Sequence, residues 1–145
     1  MNGFSISTDK SKVDLEKLHV FLSQESYWSK KIPFTVLKEA INNSMTFSVL
    51  SPTQEFVGFA RLVTDKATFA YLADVYVEND YRGKGLGKFL MNFIMNHTDV
   101  KKIRTWLLFT KDAQELYKKF GWECITDGNI VMAIKHNAEE FYSNF

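Results

Sequence analysis

Asp74-Val-Tyr-Val-Glu-Asn-Asp-Tyr-Arg-Gly-Lys-Gly-Leu-Gly-Lys88, running on into the apolar stretch Phe89 to Met95, reads as strand, turn, glycine-rich loop and helix. Three of the chain's seven glycines, Gly83, Gly85 and Gly87, fall within five residues there. Glycines at alternate positions let the backbone approach a ligand closely and leave its amide N–H groups exposed. A helix opening at the same point adds four unpaired N–H groups and a partial positive charge. The loop is therefore an anion cradle in expectation, with a pyrophosphate as its fitting occupant. Two familiar loops do not fit. A Walker loop needs four residues between its first Gly and a Gly-Lys-Ser/Thr end, whereas Gly87 follows Gly83 by four positions and Gly87-Lys88 is followed by Phe89. A dinucleotide fingerprint has its third Gly three residues after the second and sits early in a βαβ unit, but this Gly-x-Gly-x-Gly lies past the midpoint of the chain.

Outward from that loop, the chain of 145 residues has room for one domain, residues 1–145, with a core large enough to need no disulfide or metal. Its 18 basic and 17 acidic residues form no broad basic field, so neither nucleic acid nor an anionic membrane is the expected partner. Cys124 is alone, His19, His97 and His136 are scattered, and no Cys/His set has zinc spacing, so no metal is expected. No charged-then-apolar leader opens the chain and no run reaches the length of a membrane span, which points to a soluble, cytoplasmic protein.

In order, Gly3 to Thr8 reads as a short strand, Val13 to Gln24 as a helix and Phe34 to Ile41 as another, with Tyr27 and Trp28 in the linker between them. Met45 to Leu50, Phe56 to Thr64 and Thr68 to Val77 read as an antiparallel meander. Val57, Phe59, Arg61 and Val63 are expected on one face of the middle strand. On the third strand Leu72, Asp74 and Tyr76 share a face by strict alternation. A charge among apolar neighbours needs a reason. Arg61 either pairs with a carboxylate such as Asp65 or Asp74, or faces a substrate. After the loop come a helix on Leu86 to Ile94 and a strand Ile103 to Thr110, nearly continuously apolar and so expected to be covered on both faces. A further helix ends at Gly121, a strand lies around Glu123 to Thr126, Asp127-Gly-Asn129 turns, and a last strand runs Ile130 to Lys135.

Arg82-Gly-Lys-Gly-Leu-Gly87 after Tyr76-Val77 resembles the acetyl-CoA loop of the GNAT acetyltransferase superfamily, Arg/Gln-x-x-Gly-x-Gly/Ala. Ala113-Gln-Glu-Leu-Tyr117-Lys-Lys-Phe120-Gly-Trp122 resembles its second signature, with Thr110 where Asn is commonest and Trp122 where Phe is. The resemblance implies a mixed α/β fold of six or seven strands with helices on both faces. In it, the strands Thr68 to Val77 and Ile103 to Thr110 are parallel neighbours that splay apart to admit pantetheine. It implies backbone contacts to pantetheine from Val75, Tyr76 and Val77, and to the pyrophosphate from the loop that follows Arg82: Gly83, Lys84, Gly85, Leu86, Gly87 and Lys88. Thr110 and Ala113 lie on the other side of pantetheine. Tyr117 matches the general acid that protonates the CoA thiolate.

The activity so implied is acetyl transfer from acetyl-CoA to a primary amine, on a small molecule or a protein, in a monomer or homodimer. Asp74, beside the expected thioester, is the candidate base, directly or through water, with Glu78 as second choice. Superfamily members that carry a carboxylate pair have a second acid where Ala73 stands here. Tyr27, Trp28 and Arg61 are the candidate acceptor contacts. The alternative from another class is a CoA-binding sensor without turnover.

Overall fold

The structure, a computed structural model, describes residues 1–145. Five strands form one sheet in sequence order: β1 (Ser5–Ser7), β2 (Met45–Leu50), β3 (Phe56–Thr64), β4 (Phe69–Val77) and β5 (Thr105–Leu107). The first four pair antiparallel; β5 lies parallel to β4. The helices are α1 (Leu15–Val20), continued by a π-helical turn Phe21–Glu25, α2 (Phe34–Asn42), α3 (Leu86–Met95), α4 (Gln114–Lys118) and α5 (Ala138–Tyr142). Alternation along the strands gives the sheet two apolar faces. One packs Leu86, Leu90, Met91 and Ile94 of α3 on Phe47, Val49, Ala60, Leu62, Ala70 and Leu72. The other packs α1, the π turn and α2 through Leu18, Phe21, Leu22, Leu37 and Ile41 on Phe56, Phe59 and Tyr76. Apolar residues at helical spacing, such as Leu86, Leu90 and Ile94, put each helix's stripe against the sheet.

The expected mixed α/β class, the meander and the parallel β4/β5 pair joined through α3 are all present. The strand count is five, not six or seven. Glu123 to Thr126 and Ile130 to Lys135 carry no strand; a 3-10 turn occupies Gly128–Ile130. Strand propensity expresses itself only against a neighbouring edge, and neither segment pairs with β5. The strand expected from Ile103 to Thr110 is likewise only three residues long. Its end is not covered on both faces, since Phe109 is exposed.

Two face assignments also change. Val57 packs on the α3 side with Ala60 and Leu62, because the β2/β3 register slips beside it. In β4, Phe59 pairs with Tyr76 and Arg61 with Ala73, so Ala60 alone stands opposite both Asp74 and Val75. That is a β-bulge, with Asp74 at φ 55°. One extra residue inverts the alternation: Leu72 packs toward α3, and Tyr76 toward α1 and α2.

Candidate active site

The β4/β5 ladder runs only from Phe69–Thr105 to Tyr71–Leu107. Beyond it the chains part, and Leu72 to Val77, including Val75, Tyr76 and Val77, has no strand partner on that side. Those backbone groups face a wedge-shaped opening, and buried backbone polar groups need partners. The bulge at Asp74 lies where the wedge opens, so the kink that separates the strands is built into β4.

At the end of β4 the chain turns through Asn79–Tyr81 into the glycine loop. Gly83 (φ 75°) and Gly85 (φ 83°) are both left-handed, and a Cβ built on either meets no atom within 4 Å. The loop is open toward solvent, and its glycines are there for conformation rather than packing. Gly85 is the N-cap of α3 and no side chain caps the first turn, so the amides at Leu86, Gly87 and Lys88 are free to meet an anion. Arg82 turns back, its Nε donating to the Val77 carbonyl at 2.8 Å, which ties the loop to the strand end. Lys84 lies over the Tyr81 ring and Lys88 is half-buried. A pyrophosphate therefore fits this cradle by shape, free donors and charge.

On the far side, Thr110 Oγ1 accepts from the Ala113 amide at 3.0 Å and so opens α4. The helix then buries Tyr117 against Trp122. Burial, with lesser contributions from Tyr27 and Asp112, pushes the Tyr117 phenol up to about 12, so it holds its proton at neutral pH.

Asp74 is the best-anchored side chain of the wedge. Arg61 Nε donates to its Oδ2 at 2.8 Å and the Trp28 indole N–H to its Oδ1 at 2.8 Å, while Arg61 Nη1 reaches Ser44 Oγ at 3.3 Å. The carboxylate is 6 % exposed, and this charge-assisted network is what makes its burial tolerable. Of the two partners open to Arg61, the fold selects Asp74. Asp65 is spent on the β3/β4 turn, accepting from Thr68, Ala67 and Phe69 amides and the Thr68 hydroxyl. Glu78 accepts from Tyr76 OH at 2.7 Å and pairs with Lys17 at 3.1 Å.

Tyr27 and Trp28 are both partly exposed and stand edge to face, so neither is a core plug. Trp28 binds Asp74 in β4, and the Tyr27 hydroxyl accepts from the Lys111 amide beyond β5 at 3.0 Å. Their linker thus straps the two sides of the wedge together. Tyr71 and Tyr142 also lie near Asp74, and burial, then the Asp74 charge, raises both phenols. Phe109 stands against Tyr71 at 5.9 Å. These three aromatics have no local sequence signal, because they come from β4, α5 and the segment after β5. No group of three or more His, Cys, Asp or Glu side chains is placed to hold a metal, and no helix is long and apolar enough to cross a membrane.

Residues 43–124 match the family model of the acetyltransferase (GNAT) domain. A GNAT-family protein of known structure from Xanthomonas campestris pv. campestris is 36% identical, superposes with a TM-score of 0.91 and is covered over 96% of its length by 97% of this chain. An uncharacterised N-acetyltransferase, ycf52, of Gracilaria tenuistipitata var. liui is 35% identical over 79% of this chain, which spans 63% of that relative. Glucosamine-6-phosphate N-acetyltransferase from Arabidopsis thaliana, 16% identical with a TM-score of 0.65 over 92% of this chain and 97% of its own, is alike in fold alone.

Proposed function

This chain belongs to the GNAT acetyltransferase family, and from that premise we propose that it moves the acetyl group of acetyl-CoA to a primary amine, residues 1–145 acting as one catalytic domain. The observation that carries the reading is the wedge between β4 and β5 with the uncapped glycine loop at its mouth. Acetyl-CoA supplies the activated acyl group. Gly83, Lys84, Gly85, Leu86, Gly87 and Lys88 hold its pyrophosphate, aided by Arg82 as an anchor. The free edge of Val75, Tyr76 and Val77, with Thr110 and Ala113 opposite, lines the pantetheine channel.

An alkylammonium with a pKa near 10.4 is about 4.6 kcal/mol from its neutral form at pH 7, so removal of its proton matters. We assign that proton to Asp74, directly or through water. Arg61 and Trp28 use one lone pair on each of its oxygens, and each oxygen has a second. The amine nitrogen then bonds to the thioester carbon, the C–S bond breaks, and the sulfur takes a proton from Tyr117, which burial keeps protonated. A Val75 amide polarises the carbonyl oxygen. Tyr27 and Trp28 border the acceptor, and Arg61 shapes its site through Asp74.

The test is thiol release from acetyl-CoA over a panel of small amines and lysine peptides, beside calorimetry with CoA. Turnover with at least one acceptor is expected. Tight CoA binding without turnover of any amine, and no effect of Tyr117→Phe, would instead make the protein a CoA sensor.

A further inference from the structure

Beyond β5 the chain keeps an apolar surface in water. Ile130, Met132 and Ile134 are 80%, 96% and 91% exposed, at alternate positions of a segment with no strand partner. Ile125 and Phe109 are exposed beside them in sequence or across β5. Monomeric proteins rarely leave such stripes uncovered. The outer edge of β5 is also unpaired, since its single neighbour is β4. Next to it lies a cavity of about 320 Å³ lined by Trp106, Leu108, Trp122, Cys124, Ile125 and Val131. The Trp122 indole N–H is buried there without an acceptor, a condition that native structures seldom leave standing.

We propose that this face is an interface between two copies of the chain: the segment Ile130–Ile134 of one copy seats beside β5 of the other, and the exchange is reciprocal. Each chain carries one strand-forming segment and one open edge with an apolar groove, so two copies satisfy each other around a two-fold axis and the assembly closes. A strand added there supplies backbone carbonyls, the kind of acceptor that the Trp122 N–H lacks. Charge agrees with this occupant. The inserted stripe is uncharged, the Lys135 that follows it has an opposite in Glu123 on the groove, and a net charge of +1 sets up no repulsion between copies. The inference does not depend on the reaction proposed above.

Sedimentation equilibrium of the full chain from low to high micromolar concentration tests it. A dimer is expected, and Met132→Asp or Ile134→Asp should raise its dissociation constant roughly 30-fold or more with an unchanged far-UV spectrum. In hydrogen exchange, the amides of 131–135 and 107–109 should be protected only in the dimer. Should the aspartate variants misfold, Met132→Cys under mild oxidation provides a second arm: a bond to Cys124 between chains, giving a covalent dimer beyond the wild-type level, is the supporting result. A wild-type monomer throughout, protection of 131–135 in the monomer, a dimer indifferent to Ile134→Asp, or a purely intrachain disulfide each overturns the proposal. Protection in the monomer would mean that the segment closes on its own β5.

Discussion

At the scale of single residues, Asp74 and Tyr117 carry different burdens, and substitution should separate them. Tyr117→Phe keeps the ring between Trp122 and the α3 face and deletes only the hydroxyl. CoA affinity should hold while kcat falls by roughly 10 to 10³, the range of general-acid contributions; single-turnover kinetics beside calorimetry read both. Because burial lifts this phenol to about 12, its ionisation should add no descending limb to the rate profile between about pH 6 and pH 10. Asp74→Asn does something else. It neutralises one partner of a buried pair, leaves Arg61 uncompensated at the bulge, and should lower stability by about 3 kcal/mol in urea titration. If Asp74 also takes the amine's proton, the rate per folded molecule should fall as well, most steeply at lower pH. An unchanged rate would leave Asp74 as the pin of the bulge alone. An aspartate inside an apolar strand was legible as a residue with a task, and its partner was among the two carboxylates that the sequence offered Arg61.

At the scale of elements, the glycine loop and the β3/β4 turn each make a local prediction. Gly85 is left-handed, where any residue with a Cβ is strained by roughly 1–2 kcal/mol and a β-branched one by more. Gly85→Val should remove CoA binding in calorimetry, because it distorts the α3 amides and fills the space the pyrophosphate would take. No atom lies within 4 Å of the added Cβ, so the fold should survive by circular dichroism. In the turn, the bonds to Thr68, then those to the Ala67 and Phe69 amides, hold the Asp65 carboxyl well below the usual carboxylate range. A depressed acid adds stability above its unfolded value near 3.9, and that stability is lost as the pH falls through the folded value. Asp65→Asn should therefore melt lower than wild type at about pH 7. The gap should close on acidification below about pH 4, as followed by thermal melts across pH. Strands β2, β3 and β4 and helices α2 and α3 are readable to within a residue because each has a full stripe of its own period. The three-residue β5 and the unpaired segments after Gly121 are not.

At the scale of the whole molecule, the wedge couples ligand and stability. CoA that binds only the folded chain should add about 2.7 kcal/mol at a hundred times its dissociation constant. For a chain of this size that is a rise in Tm of roughly 5–10 °C, measurable by scanning calorimetry and absent in Gly85→Val. The sequence by itself determined what depends on local rules. Glycines 83 to 87 need backbone freedom beside a helix start, Tyr117 sits at its spacing from Gly121, the meander turns at Ser51-Pro52 and Asp65-Lys66, and near-balanced charge favours no polyanion. Only the tertiary structure decided the rest. An extra residue between two registers made the bulge at Asp74 and reversed which face Tyr76 covers. Three elements distant in the chain brought Trp28, Arg61 and Ser44 to one carboxylate network. The Ile130 to Lys135 segment, strand-like in composition, stayed unpaired, because a strand is a property of two edges and not of one run of residues.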